Sequence, residues 1–122
     1  MKTAYGDHLT LTTDGHVATI VIDRPENNHV SVELMRDLAD ALEAMDRDNN
    51  IRAVVLAAAG RAFCAGADLV SPTGIGGTGM SGIDSLYEQA VRLFAVETPI
   101  IAAVQGAAVG AGLGLALVAD FR

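Results

Sequence analysis

Two short glycine turns are the residues of this sequence best suited to chemistry, and each follows an apolar run. Gly66-Ala67 comes after RAVVLAAA (residues 52–59), and Gly110-Ala111-Gly112 comes after residues 100–104. A tight turn into a helix leaves the first backbone N–H groups unpaired, so they can hold an anion or an oxygen that becomes negative during a reaction. We therefore predict that the two turns supply converging N–H groups of the kind that acyl chemistry uses.

Parallel strands must carry both turns to one edge of a sheet if these N–H groups are to converge. Residues 16–23, 52–58 and 100–104 predict three buried strands, and the first has two largely apolar faces, which predicts cover on both sides. Ser31 has the properties of an N-cap for an amphipathic helix with apolar positions at Leu34, Met35, Leu38, Leu42 and Met45. The strand–helix–strand order predicts a βαβ unit and an α/β fold.

The segments around this unit predict a hairpin, a long loop and another helix. Leu9 to Thr12 and the Asp14-Gly15 dipeptide predict a strand and a hairpin turn before the first buried strand. Val70 to Gly82 predicts a loop long enough to act as a lid. An apolar stripe from Ile83 to Phe94 predicts an amphipathic helix that ends before Thr98-Pro99.

The C-terminal stretch predicts a strand, a turn and a buried helix. We interpret Gly110, Gly112 and Gly114 as one glycine turn, after which residues 115–118 are continuously apolar. Phe121 looks like the first apolar residue of a further element. We therefore expect the chain to be a fragment of a longer protein.

Composition excludes several classes of function. The 122 residues are 51% apolar and 19% charged, which argues against disorder, and a net charge of −7 with eight Lys and Arg argues against nucleic-acid binding. No apolar run reaches membrane-spanning length and the N-terminus lacks a signal core, so we expect a cytoplasmic protein without a membrane partner. One cysteine and three scattered histidines offer no metal site.

Three local patterns have competing interpretations. Residues 74–79 match the dinucleotide fingerprint, but no strand precedes them, so a flexible loop is favoured over a nucleotide site. Cys64 has no evident activating base, which favours a buried inert thiol over a nucleophile. Asp68 either caps a short helix or fixes the loop whose amides face a substrate.

Taken together, three stretches resemble the enoyl-CoA hydratase/isomerase (crotonase) superfamily. They are VATIVIDRPE, RAVVLAAAGRAFCAGADL and TPIIAAVQGAAVGAGLGLALVADFR, and with the loop between them they cover nearly the whole chain. The resemblance implies a spiral of repeated ββα units in a domain about twice this length. It further implies that residues 1–122 are the N-terminal portion, that C-terminal helices are absent, and that the complete protein is a homotrimer or a dimer of trimers.

The resemblance also implies a substrate and a set of site residues. An acyl-CoA would bind with coenzyme A as part of the substrate and no separate cofactor, in a lyase or isomerase of fatty acid metabolism. The oxyanion-hole amides fall on Ala67 and Ala111. The predicted acyl-CoA channel is lined by Ala65, Asp68, Leu69, Val109 and Gly110, with Glu26 to Asn28 near the nucleotide end and the Ile83–Phe94 helix as the wall of the acyl pocket.

One position departs from the family pattern. Where family hydratases carry a glutamate that helps to activate water, this chain has Gly114, and the second family carboxylate would lie beyond Arg122. Glu88 and Glu97 are the nearest glutamates. Single-carboxylate isomerisation, another acyl-CoA reaction, and a non-catalytic binding or assembly protein with the same fold therefore all remain open.

Overall fold

The computed structural model has a five-stranded sheet with three helices and describes residues 2–70 and 79–122, with the backbone alone for residues 2, 79–81 and 83. In chain order the elements are β1 (Lys2–Tyr5), β2 (Leu9–Asp14), β3 (Val17–Ile22), α1 (Val32–Arg47), β4 (Ala53–Ala58), α2 (Gly79–Phe94), β5 (Ile100–Ala102) and α3 (Ala111–Val118). The strands lie side by side in sequence order. The first three are antiparallel, whereas β3, β4 and β5 are parallel. The predicted α/β class is confirmed.

The β2–β3 hairpin turns at Asp14-Gly15 as predicted, with Gly15 at a φ of 60°. Along β3, Ala18, Ile20 and Ile22 are buried in the core. The prediction that both faces of β3 are covered is wrong for the described residues, because Val17 on the opposite face is 40% exposed. The hydrophobic core lies between one face of the sheet and the helices.

Helix α1 forms where the sequence predicted it. Ser31 is the N-cap and its hydroxyl oxygen accepts a hydrogen bond from the Leu34 N–H at 3.0 Å. The buried face of the helix packs into the core through Leu34, Met35, Leu38, Ala39, Ala41, Leu42 and Met45. Because β3 and β4 on either side of α1 pair in parallel, the predicted βαβ unit is confirmed.

Helix α2 begins earlier than predicted and presents a different face to the core. It starts at Gly79 rather than Ile83, so the end of the predicted lid, residues 79–82, is helical. The rest of that lid, with most of the glycine-rich match, lies outside the described residues. The predicted stripe is exposed at Tyr87, Val91 and Phe94, whereas Leu93 is buried.

An ion-pair cluster joins α2 to α1 beside Leu93. Both Nε and Nη2 of Arg92 donate to the Glu43 carboxylate, at 2.8 and 2.7 Å, and Nη2 also donates to Asp40 at 2.6 Å. These bonds lower the pKa of Glu43, the hydrogen bond from Arg92 being the main cause. The arginine thus links α2 to α1 through two ion pairs.

The prediction that Gly110, Gly112 and Gly114 form one turn is wrong. Only Gly110 has a left-handed backbone, with a φ of 56°, and α3 already begins at Ala111. Gly112 lies within the helix. Glycine is required there because a Cβ would stand 2.0 Å from the carbonyl oxygen of Cys64. Glycine at position 112 therefore allows two chain segments to approach closely and does not make a bend.

The C-terminal strand and helix are shorter and more exposed than expected. β5 has three residues, and of the predicted buried helix only Gly112, Leu115 and Ala116 are buried. Phe121 lies beside Ile101 in a parallel bridge, and the Ala102 N–H donates to its carbonyl at 2.8 Å. The expectation that an element begins near Phe121 therefore agrees with its position at the edge of β5.

Candidate active site

The connections that leave β4 and β5 touch each other, as the parallel arrangement predicted. Cys64 and Ala108 form a parallel bridge in which the Cys64 N–H donates to Ala107 and the Cys64 carbonyl accepts from Val109, both at 3.1 Å. A Cβ on Gly66, whose φ is 112°, would lie 3.2 Å from the Val109 carbonyl oxygen. The first turn therefore lies directly against the second.

Hydrogen bonds fix the direction of the Ala67 N–H. The carbonyl oxygen of Gly66 accepts from the Val30 N–H at 2.8 Å, and the Asp68 N–H donates to the Val30 carbonyl at 2.9 Å. In a planar trans peptide the C=O and N–H point in opposite directions. The Ala67 N–H therefore points away from Val30, and it has no hydrogen-bond acceptor within residues 2–70 and 79–122.

The same reasoning gives the direction of the Ala111 N–H. The Gly110 carbonyl points along α3, since it accepts from the Gly114 N–H at 3.1 Å. The Ala111 N–H, at the other end of that peptide, points out of the N-terminus of the helix. It too lacks an acceptor in the part of the chain that the structure describes. Two unpaired N–H groups thus project from two turns that are in contact with each other.

A cavity of about 290 Å³ lies between α2 and α3 and includes Ala111. Its wall is almost entirely apolar, and among the described residues that line it Tyr87 is the one side chain with a polar group. The lining residues are Met35, Leu86, Tyr87, Ala90, Val91, Leu93, Phe94, Ala111, Gly114, Leu115 and Val118. The exposed stripe residues Tyr87, Val91 and Phe94 therefore lie along this cavity. We refer to this space as the apolar cavity.

A second cavity of about 290 Å³ includes Ala67. It is lined by His29, Asp68, Leu69 and Val70 besides Ala67. The Nδ1 atom of His29 is buried and has no hydrogen-bond partner among the described residues. Ala111 thus lines an apolar cavity, and Ala67 lines a cavity with a histidine and a carboxylate.

The remaining predicted site residues are divided between surface and interior. Leu69, Val109 and Gly110 are exposed and Ala65 is half-buried beside them. Glu26 is exposed at the tip of the loop after β3. These five positions are open to a ligand, and their roles in binding remain predictions.

Asn28, by contrast, is buried, and its side chain forms hydrogen bonds to the backbone of neighbouring loops. It is 2% exposed and has a φ of 57°. Its Nδ2 donates to the carbonyls of Ala59 and Ala62 at 2.8 and 2.9 Å, and its Oδ1 accepts from the Arg24 N–H at 2.8 Å. The side chain is thereby committed to holding the 59–62 loop, and its predicted place near the nucleotide end of coenzyme A remains a prediction.

Asp68 does not cap a helix, because Leu69 and Val70 are not helical. Its Oδ2 instead accepts from Arg24 Nη2 at 2.9 Å in a largely buried ion pair, and its Oδ1 accepts from the Val70 N–H at 3.1 Å. The interpretation of Asp68 as a cap is therefore wrong, whereas a role in fixing the loop fits these contacts. Arg24 was missed in the sequence; a charged residue directly after a buried strand was its only signal.

Cys64 is buried, as predicted, and burial raises the pKa of its thiol, with a smaller opposing effect from a hydrogen bond to the Gly66 backbone. A buried neutral thiol is a poor nucleophile. Within the described residues no three His, Cys, Asp or Glu side chains come together as a metal site would require. In the same part of the chain, none of the helices combines the length and the apolar character needed to cross a bilayer.

Solved structures with this architecture define the class of protein. An enoyl-CoA hydratase from Bacillus anthracis matches with a TM-score of 0.81 and 30% identity, over 95% of this chain and 46% of its own. An enoyl-CoA hydratase/carnithine racemase from Magnetospirillum magneticum matches with a TM-score of 0.85 and 29% identity, over 99% of this chain and 46% of its own. The fold is therefore the crotonase fold, as the sequence predicted.

Sequence comparison gives the family. A family model described as enoyl-CoA hydratase/isomerase matches residues 12–122. A probable enoyl-CoA hydratase of Mycobacterium tuberculosis is 42% identical over 118 residues, and 1,2-epoxyphenylacetyl-CoA isomerase of Escherichia coli is 43% identical over 111 residues. The alignments cover 95% and 85% of this chain but 46% and 42% of the relatives, so the chain spans about half their length. The chain belongs to the enoyl-CoA hydratase/isomerase family.

Proposed function

We propose that the protein is an acyl-CoA enzyme of the hydratase/isomerase type that stabilises a thioester enolate between the N–H groups of Ala67 and Ala111. The observation that carries this proposal is the pair of unpaired N–H groups on two touching turns. Addition of a water oxygen to the β-carbon of an enoyl thioester breaks the C=C π bond and moves negative charge onto the carbonyl oxygen, as does the loss of an α-proton from a saturated thioester to a base. Two fixed donors bind that charged oxygen more strongly than the neutral carbonyl, and this difference lowers the barrier.

The two cavities suit the two parts of such a substrate. The part of the chain that the structure describes places no charged side chain on the wall of the apolar cavity beside Ala111, which favours an uncharged acyl group. The cavity beside Ala67 would receive the chain that leads from the thioester to the nucleotide of coenzyme A. Coenzyme A is then part of the substrate and no other cofactor is needed. A homotrimer or dimer of trimers, a cytoplasmic location and a role in fatty acid metabolism are part of the same proposal.

Replacing Ala111 by proline tests the oxyanion role, because proline has no N–H. Ala111 is the first residue of α3, a position where proline is tolerated. The preceding Gly110 has no Cβ to clash with the ring, and its ψ of −118° is the mirror image of the extended backbone found before proline. We expect kcat for but-2-enoyl-CoA to fall by about 10²–10³-fold with little change in substrate affinity.

Two variants control for this substitution. Ala111→Gly keeps the N–H and should retain turnover. Val32→Pro places proline at the first position of α1, after the extended Ser31, and removes no donor from the site. A polarised thioester carbonyl band on binding of acyl-CoA should be present in the wild type and weakened in Ala111→Pro. Unchanged turnover in Ala111→Pro would refute the role of this N–H.

Gly114 favours a second candidate, a non-catalytic binding or assembly protein that keeps the fold. It lines the apolar cavity at the position of the family hydratase glutamate, and no carboxylate is among the described residues that line that cavity. A Cβ at Gly114 would meet no atom of the rest of the structure within 4 Å, so the position accepts the first atom of a longer side chain such as glutamate.

The Gly114→Glu variant distinguishes the two candidates. An enzyme that lacks only this carboxylate should hydrate but-2-enoyl-CoA faster in Gly114→Glu than in the wild type, whereas Gly114→Gln, of the same size but uncharged, should show no such increase. A wild type that binds acyl-CoA without polarising its thioester, together with an inactive Gly114→Glu, would instead support the non-catalytic candidate.

A further inference from the structure

The peptide that carries the Ala67 N–H is held from one side by a single residue. Val30 donates to the Gly66 carbonyl at 2.8 Å and accepts from the Asp68 N–H at 2.9 Å. Any rotation of the peptide between Gly66 and Ala67 must break the first of these bonds and misalign the second. The direction of the Ala67 N–H therefore depends on how rigidly Val30 and residues 66–68 are fixed relative to each other.

One guanidinium connects both partners of this pairing. Arg24 Nη2 donates to Asp68 Oδ2 at 2.9 Å, directly after Ala67, and Arg24 Nη1 donates to the His29 carbonyl at 2.9 Å, directly before Val30. The Arg24 and Asp68 side chains are 13% and 10% exposed, so water screens the ion pair little. Because the guanidinium is planar, its two bonds set the spacing of the two segments.

We propose that Arg24 and Asp68 are positioning residues that fix the direction of the Ala67 N–H. Neither needs to touch substrate for this role, since both act through the two Val30 hydrogen bonds. The catalytic consequence rests on the proposed function, whereas the effect on the peptide does not. Without the ion pair, the hydrogen bonds that join residues 66–68 to Val30 among the described residues are two backbone bonds, and the N–H direction becomes variable.

Amide hydrogen exchange in the free protein tests the structural part. Asp68→Asn keeps the size of the side chain and removes its charge, and Arg24→Met removes the guanidinium. Both should speed exchange of the Val30 and Asp68 amides by about tenfold or more, because breaking a buried pair promotes local opening. Asp46→Asn is the matched control, since Asp46 binds the backbone of Glu97 and Thr98 elsewhere in the chain.

Steady-state kinetics with but-2-enoyl-CoA and hex-2-enoyl-CoA test the catalytic part. A misdirected donor should lower kcat by about 10–100-fold while KM changes by less than about threefold. Arg24→Lys keeps the charge but not the planar fork, so it should give intermediate exchange and intermediate kcat. A merely structural role would change the melting temperature without this separation of kcat from KM.

The outcomes separate this inference from the proposed function. If the Val30 and Asp68 amides exchange no faster in Asp68→Asn and Arg24→Met than in Asp46→Asn, the positioning role is refuted, whatever the activity. If exchange accelerates but KM alone changes, its catalytic consequence is refuted. If exchange accelerates and the wild type neither binds nor converts either substrate, the positioning role stands and the proposed function fails.

Discussion

Two glycines of α3 should respond in opposite ways to the same substitution. Gly112 and Gly114 are two residues apart on one short helix, and both become alanine without any change in charge. A Cβ at Gly112 would lie 2.0 Å from the Cys64 carbonyl oxygen and 2.7 Å from its carbon, whereas a Cβ at Gly114 would meet nothing within 4 Å. We therefore expect Gly112→Ala to destabilise the protein and Gly114→Ala to stabilise it.

The contact distances set the magnitudes. In Gly112→Ala the helix and the Cys64 backbone must separate by about 1 Å or more to reach ordinary contact, and overpacking of this kind costs about 1–3 kcal/mol. The movement also strains the bond from Val109 to the same carbonyl. Gly114→Ala should gain about 0.5–1 kcal/mol, since alanine loses less backbone entropy than glycine in a helix. The two variants should therefore differ by about 1.5–4 kcal/mol.

Urea unfolding of the wild type and both variants measures this difference, provided that the slopes of the transitions agree. Gly112→Ala should also lower turnover, since its shift displaces the neighbouring Ala111 N–H. The reasoning would be refuted if the two variants were equally stable, or if Gly112→Ala were at least as stable as the wild type. Close approach to Cys64 would then not be the reason why residue 112 is glycine.

Two further predictions concern side chains that hold loops. Asn28→Ala should cost about 2–4 kcal/mol in urea unfolding, because it removes the side-chain hydrogen bonds to the Ala59 carbonyl and the Arg24 N–H and puts alanine in a left-handed conformation; the exposed neighbour Asn27→Ala is the control, and an equal loss there would contradict the reasoning. Burial raises the pKa of Asp46, but hydrogen bonds from Thr98 and Glu97 outweigh it and leave the pKa lowered. Asp46 therefore stabilises the folded state above its unfolded pKa of about 3.9, and this contribution is lost as the pH falls through the lower folded value. The loss of stability in Asp46→Ala should be largest near pH 7 and should shrink below about pH 4; a loss independent of pH would refute it.

Much of the fold could be predicted because its causes are local in sequence. The apolar stripe of α1 begins directly after Ser31, and the hairpin follows from Asp14-Gly15. The meeting of the two turns also followed from the sequence, since parallel strands bring their connections to one edge. The apolar stripe of α2 was also found, but periodicity identifies an apolar face without saying what that face contacts, and its place beside an acyl pocket came only from the family resemblance.

The amino-acid sequence by itself determined the family, the order of strands and helices, and the pair of turns that carry Ala67 and Ala111, because these depend on periodicity, turn residues and motifs of neighbouring residues. Tertiary structure alone decided the direction of the two N–H groups, the close approach that requires Gly112, and the ion pair between Arg24 and Asp68. That pair joins residues 44 positions apart, and Asn28 reaches carbonyls 31 and 34 positions away. Contacts at such separations arise only when the sheet has formed, since no local pattern specifies which distant groups the fold brings within hydrogen-bond distance.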